Sequence, residues 1–277
     1  MTVRPSAVAG QWYPGTGDAL RREVDAHLAS AGRDETSRCP RAIIAPHAGL
    51  VYSGPVAAWA YALVGECRYA AVVLVGPSHF VGFEGVSIWP RGAWQTPLGT
   101  VAVADRLAAA IAAESAGIVE FPKAHGREHS LEMQLPFVAR LLPGVPIVPL
   151  VMGHQTRETA MALGDALGRA LASQRGLTGG DILIVASSDL SHYEDAATAA
   201  QLDGVVLRHV EALDAAGLMA ALEREPRHAC GGGPMVSVLH AASRLGATRA
   251  RVLRYADSGD VSGDKSSVVG YMAAAIW

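Results

Sequence analysis

Three apolar runs in this 277-residue chain are each followed at once by residues that can bind a metal or move a proton. Arg41–Pro46 (RAIIAP) leads straight into His47. Ala70–Gly76 (AAVVLVG) leads through Pro77 and Ser78 to His79, and Asp181–Ala186 (DILIVA) leads to Ser187, Ser188, Asp189, Ser191 and His192. If the three runs are parallel strands, their carboxyl ends lie along one edge, which is where open α/β sheets bind ligands. Imidazoles gathered there with a carboxylate suit a divalent transition metal, or a general base steered by an acid. One such histidine alone would be read more simply as capping a helix or bonding a loop. Three on one edge ask for a shared task.

Cys230 stands in His-Ala-Cys-Gly-Gly-Gly-Pro-Met, just ahead of a helix expected from Pro234. The partial positive charge of a helix N-terminus is expected to lower a nearby thiol's pKa, which suits metal ligation or nucleophilic attack. The plainer alternative is a small buried side chain beside a turn. Residues 125–129 read HGREH, not HExxH, so the glutamate points elsewhere and a metalloprotease is set aside. His129 stays a candidate contact to substrate or to the metal's surroundings. Gly259–Ser266 (GDVSGDKS) has the wrong spacing for a phosphate loop and opens onto a strand pattern, so it reads as a turn. Ser187, Ser188 and Ser191 lack the GxSxG spacing of a nucleophile elbow.

Holding these groups on one edge requires strands that alternate with helices, and the rest of the chain reads that way. Helices are expected from Pro55 in PVAAWAYALV, over Asp105–Ala116, over Glu128–Leu142 with a kink at Pro136, and over Glu158–Ser173, ended by Gly176, Gly179 and Gly180. More follow over about 195–224 and over Pro234–Leu245. Pro146–Met152 is a further strand, though Pro149 argues against a regular central position. Residues 81–103 read as an irregular or hairpin excursion. Arg249–Tyr255 and Ser267–Ala275 read as closing strands that pair antiparallel. The expected architecture is one α/β domain over residues 1–277, a mostly parallel sheet covered on both faces.

Composition narrows the function. Net charge is −3 with no basic block, so a nucleic-acid partner is not expected. The apolar stretches Ala70–Val75 and Val268–Trp277 are too short to span a bilayer, and MTVRPSAVAGQWYPG has no signal-peptide pattern. Cys39, Cys67 and Cys230 show no CxxC or zinc-finger spacing, and their odd count favours free thiols in a reducing compartment. The expectation is a cytoplasmic protein with a small-molecule substrate and no membrane partner, in which Cys39 and Cys67 are structural or incidental.

The segments PSAVAGQWYPG, IIAPHAGLVYSG, GPSHF, TPLG, EHSLEMQLPF, SSDLSHY, CGGGP and YADSGDVSGD resemble those of the Memo family, whose bacterial and archaeal branch is often called AmmeMemoRadiSam system protein B. The likeness runs from Pro5 nearly to the C-terminus. It implies a fold similar to the class III extradiol dioxygenases (LigB-like), three α/β/α layers around a mostly parallel sheet. Carried over position by position, it implies His47, His79 and Cys230 as metal ligands, and His192 as acid–base with Asp189 beside it. Trp12 and Tyr52 match aromatic residues lining the same pocket. Fe(II) is the cofactor expected first, copper second and zinc third. The resemblance also implies a functional link to AMMECR-type and radical SAM proteins. Animal members are described as binding phosphotyrosine peptides, a role not carried over to this chain.

One departure matters. The dioxygenases complete their iron site with a carboxylate, whereas here a softer thiolate would stand in its place. The analogy therefore supports a metal site more strongly than it supports ring cleavage. The leading expectation is a non-haem metal oxidoreductase. The alternatives are a protein that holds metal or peptide in the same pocket without turnover, and a Cys–His hydrolase or transferase with Cys230 as nucleophile.

Overall fold

The computed structural model describes residues 2–32, 38–173 and 180–277. It opens with strand β1 (Val3–Arg4) and helix α1 (Gly17–Ser30), followed by β2 (Ala42–Ala45), α2 (Leu50–Ala62) and β3 (Tyr69–Pro77). The excursion after β3 holds β4 (Val86–Ile88) and the hairpin of β5 (Ala93–Thr96) and β6 (Gly99–Ala102). Next come α3 (Asp105–Ala113), β7 (Ile118–Glu120), the single turn α4 (Lys123–Gly126), α5 (Leu135–Leu141), β8 (Ile147–Met152) and α6 (Arg157–Ser173). The last third holds β9 (Asp181–Ser187), β10 (His192–Glu194), α7 (Ala196–Glu211), α8 (Ala215–Arg224) and α9 (Gly232–Arg244). It closes with β11 (Ala250–Asp257), the turn α10 (Gly259–Ser262) and β12 (Val268–Ile276).

The main sheet runs β10-β12-β2-β9-β3-β8-β4-β7, with β11 also paired to β12. Neighbours β2, β9, β3 and β8 are parallel, and β12 joins β2 antiparallel, as the closing strands were expected to do. Alternation within the apolar runs supplies two cores from one sheet. Ile44, Val73, Val75 and Ile184 face Leu163 and Leu167 of α6 and Val236 and Leu239 of α9. Ile43, Val72, Leu74 and Val185 face Leu20 of α1, Tyr61 of α2 and Phe137 of α5. The result is a three-layer α/β/α fold with a mostly parallel centre.

Several local expectations are corrected. Residues 128–131 are not helical. The Glu128 carboxylate accepts the backbone N–H groups of His129 and Ser130, both at 2.9 Å, and folds them into a turn. Pro136 lies in the first turn of α5, where its missing N–H costs nothing, and it kinks no helix. Pro55 stands inside α2, because that helix already begins at Leu50. Its ring deprives only the carbonyl of the exposed Val51 of a partner, and water can serve that group. Pro149 sits in an interior strand, opposite Trp89 just past the end of β4, where its carbonyl still accepts the Trp89 N–H at 3.1 Å and the ring costs only the return bond of that last pair. Gly176 and Gly179 lie outside the described residues.

Cys39 and Cys67 form a disulfide, with Cα atoms 5.7 Å apart, which overturns the free-thiol expectation for this pair. No motif marks it, because the approach of β2 and the end of α2 bring the two together in space. Cys230 remains free. In the Gly259–Ser266 turn, Lys265 Nζ pairs with Asp257 Oδ1 at 2.7 Å and Asp260 Oδ1 at 2.6 Å, a closure by its own charges. Among the described residues no helix is long and apolar enough to cross a membrane.

Candidate metal centre

Strand order places the chemistry. β9 lies between β2 and β3, with Ala45 paired to Ser187 and Val75 to Ala186. The residues just beyond these pairs therefore emerge side by side, with Asp189 between His47 and His79. Cys230 arrives from the start of α9 and is stitched to the same edge. Its N–H donates to Asp189 O at 3.3 Å, and the Gly231 N–H donates to Ser188 Oγ at 2.9 Å. Only glycine allows this approach, since a Cβ at Gly231 would lie 2.5 Å from Ser187 O. Gln155 holds the other side, donating to Cys230 O at 2.7 Å and accepting from Gly233 N–H at 2.8 Å.

One ring nitrogen each from His47 and His79 and the sulfur of Cys230 lie within 4.8 Å of one another. Cys230 Sγ is 3.2 Å from His47 Nε2. The hydrogen-bond supply fixes which nitrogens carry protons. Ser187 Oγ donates its one proton to Ser130 O at 2.6 Å and accepts from Gln134 Nε2 at 2.7 Å. It can therefore only accept from His47 Nδ1, 2.9 Å away, which puts the proton on Nδ1 and a lone pair on Nε2. His79 Nδ1 lies 2.9 Å from Glu128 Oε1, with the same consequence for its Nε2. Gln134 is oriented in turn, since its Oε1 accepts from Tyr61 O–H at 2.9 Å and its Nε2 also donates to Pro46 O at 3.1 Å. Two nitrogen lone pairs and a thiol sulfur converge, a donor set that fits a transition metal of intermediate softness.

Electrostatics favour neutral imidazoles. Burial, then the neighbouring His79, pushes His47 down to about 3, and burial with His47 and His79 pushes His129 down to about 4. Burial opposes ionisation of Glu128, yet the hydrogen bond from the His79 ring and the backbone N–H donors of His79 and Ser130 hold it below the usual carboxylate range. Asp189 is raised by burial, although the N–H groups of His47 (2.7 Å) and Ala48 (3.2 Å) pull the other way. The thiol of Cys230 is raised, by burial first and by Asp189 second, which corrects the expected lowering. The helix end is outweighed by its surroundings. A thiol held protonated is a poor nucleophile, and this weakens the hydrolase alternative, whereas a metal displaces such a proton on binding.

A cleft of about 420 Å³ opens over these atoms, walled by Trp12, His129, Asp189, His192 and Tyr193. Trp12 leans on His129 with ring centroids 4.2 Å apart. Tyr52 lies outside this wall, 40% exposed on the first turn of α2. His192 Nδ1 donates to Leu190 O at 2.8 Å, leaving Nε2 as the basic nitrogen. Asp189 makes its hydrogen bonds to the backbone of residues 47–48 and not to His192. Its carboxylate still has an oxygen within 4.8 Å of a His192 ring nitrogen and of the sulfur, near enough for their charges to interact.

Sequence reasoning assigned no role to Glu128, Ser130, Gln134 or Ser187. It also passed over Glu132, which is fully buried and accepts from Arg4 Nη1 at 2.6 Å, Tyr13 O–H at 2.7 Å and the N–H groups of Ala7 and Val8. These bonds bind residues 4–13 to the site and carry Trp12 to His129. No local signal marked these side chains, because the polar run Glu-His-Ser-Leu-Glu-Met-Gln is also what a solvent-facing helix shows.

A family model described as Memo-like protein matches residues 4–275. A MEMO1 family protein of Methanothermobacter thermautotrophicus is 39% identical over 280 residues, which cover 97% of this chain and 98% of that protein. MEMO1 family proteins of Thermotoga maritima (99% of each chain) and Sulfurisphaera tokodaii (98% of each) are both 37% identical. With family match and relatives spanning nearly every residue that builds the cleft, this chain belongs to the Memo family.

Proposed function

We propose that this protein holds one transition-metal ion between His47, His79 and Cys230 and works as an oxidoreductase on a small organic molecule bound in the adjoining cleft. The observation that carries the reading is the meeting of two imidazole lone pairs and one sulfur at the end of the parallel strands. Fe(II) is the ion proposed first and copper second, with zinc third, since imidazole serves all three and a thiolate strengthens the case for copper. When bound, the ion supplies Lewis acidity and electron transfer at positions that the three ligands leave open. The protein's own groups do the rest. His192 Nε2 takes a proton from the substrate and returns it, while Nδ1–H stays anchored to Leu190 O. The Asp189 carboxylate favours the imidazolium that forms. Trp12 and His129, in contact with their rings tilted by 51°, offer the substrate aromatic faces to pack against.

The test is anaerobic reconstitution with Fe(II), copper or zinc followed by metal analysis, then spectroscopy on addition of nitric oxide to the iron form. One equivalent per chain is expected, lost in His79→Ala and in Cys230→Ser. Absence of metal in the parent, or one full equivalent still held by both variants, overturns the proposal.

A further inference from the structure

The two histidines that face the sulfur have unlike partners behind them. His47 Nδ1 meets a neutral hydroxyl, Ser187 Oγ, at 2.9 Å, and that oxygen is already shared with Gln134 and Ser130. His79 Nδ1 meets a carboxylate oxygen, Glu128 Oε1, also at 2.9 Å. Glu128 is fully buried, so its charge is not diluted by water. Its other oxygen accepts the His79 backbone N–H at 2.6 Å, and Oε1 also takes the N–H groups of His129 and Ser130. One side chain thus grips both the ring and the backbone of His79. Every hydrogen bond to Glu128 stabilises its anion, so it faces the imidazole as a charge and not as a carboxylic acid.

We infer that Glu128 is a positioning residue that makes His79 the stronger of the two imidazole donors and tunes the electron richness of the ion the site holds. This rests on the metal reading above. A carboxylate behind an imidazole holds the Nδ1–H tautomer, aims Nε2 and draws the Nδ1 proton away, which raises the basicity of Nε2. More charge donated to the ion stabilises its oxidised state, so the reduction potential falls. A hydroxyl that is already an acceptor for an amide gives His47 the tautomer without the charge. The asymmetry lies in the partners, since both rings keep the same 2.9 Å spacing.

Glu128→Gln keeps the size and an oxygen to accept from Nδ1–H, but removes the charge and leaves the His79 backbone N–H facing an amide NH2. Metal affinity, measured by competition with a chelator, is expected to fall about 10- to 100-fold. The reduction potential of the bound ion, by spectroelectrochemistry, is expected to rise. Ser187→Ala, which takes a neutral partner from His47, should loosen binding but leave the potential nearer its original value. A purely structural Glu128 would lower the melting temperature of the metal-free protein and leave the potential unmoved, and that result overturns the inference. A second measurement needs no variant. In ¹⁵N-histidine spectra of the zinc-loaded protein, His79 should carry its proton on Nδ1 with a strongly downfield shift, and a proton on Nε2 overturns the inference. If the unsubstituted protein retains no metal, the metal reading falls and this inference falls with it. If it retains metal and Glu128→Gln matches it in affinity and potential, only this inference falls.

Discussion

Cys230 Sγ lies 3.2 Å from His47 Nε2, although 183 residues separate them along the chain. The contact exists because β2 and β9 are adjacent and parallel, and because Gly231 lets the start of α9 press against Ser187 and Ser188. The one thiol proton has two acceptors within reach, the His47 Nε2 lone pair at 3.2 Å and Asp189 O at 3.6 Å. Under the proposed metal reading, ligation by the sulfur would displace that proton to solvent.

Cys230→Ser should remove metal binding while leaving the metal-free fold nearly intact. The residue is half-buried in a glycine-bounded turn, and a serine hydroxyl can bond to His47 Nε2 or Asp189 O. A change in unfolding free energy below about 1 kcal/mol is expected. Metal analysis beside a denaturant melt checks both halves. Unchanged stoichiometry would make Cys230 a bystander.

His192→Ala should keep its metal and lose turnover by about 10²–10⁴-fold, the usual contribution of a general acid–base. Asp189→Asn should lose less, because its remaining carbonyl oxygen still accepts from the backbone of residues 47–48 while the charge beside His192 is gone. Metal titration of His192→Ala separates the roles before any substrate is known. If that variant fails to hold iron while His79→Ala succeeds, the two histidines exchange assignments.

Acid should destabilise the metal-free protein partly through His125, a residue outside the cleft. It is fully buried against Ser87 Oγ at 2.9 Å, and burial first, then the Arg4 charge, pushes it down to about 3. The unfolded chain takes up a proton near pH 6.5 and the folded one does not, so between those values the unfolded state binds more protons. Stability is then lost as pH falls through this window, by up to about 1.4 kcal/mol per pH unit from this group. Denaturant melts from pH 7 to 4 should show a shallower slope for His125→Gln than for the parent. Equal slopes would mean that His125 protonates in the folded state.

Reduction of Cys39–Cys67 should lower stability. Closing a loop of 28 residues in the unfolded chain corresponds to about 3–4 kcal/mol in the chain-entropy model. Non-reducing peptide mapping should find the linked pair, and Cys67→Ser should melt like the reduced parent. A parent whose melt ignores reductant contradicts this.

Glu132→Ala should destabilise by about 3–5 kcal/mol, the usual cost of stranding one partner of a buried ion pair. Arg4 is 2% exposed and would lose its counter-charge, while Ala7, Val8 and Tyr13 would lose an acceptor. Release of residues 4–13 should also shift the fluorescence of Trp12. A variant as stable as the parent would show that residues 4–13 are held by other contacts.

Much of the site was legible because strand ends announce themselves. An apolar run followed by histidine says where the histidine emerges, the glycines after Cys230 marked the thiol, and the resemblance of whole segments made it a third ligand and added Trp12. Tyr52 matched by segment and stands on the first turn of α2, 40% exposed, three residues past Gly49 of the cleft wall. Glu128, Ser187 and Gln134 were not legible. Each acts through bonds to residues 49 to 140 positions away, and no local spacing encodes such bonds.

The sequence by itself determined the strands and the layering. A run such as Ala-Val-Val-Leu-Val must bury both faces, and that demand is satisfied locally by a sheet between two helical layers. Tertiary structure alone decided that β9 lies between β2 and β3, that Cys39 meets Cys67, and that residues 128–131 leave the helical path. It also decided the charge of Cys230, where enclosure beside Asp189 outweighs the helix end. The reason is one of range. Propensity and periodicity act over a few residues, whereas pairing, burial and the field at a side chain depend on whichever distant segments the finished fold brings near.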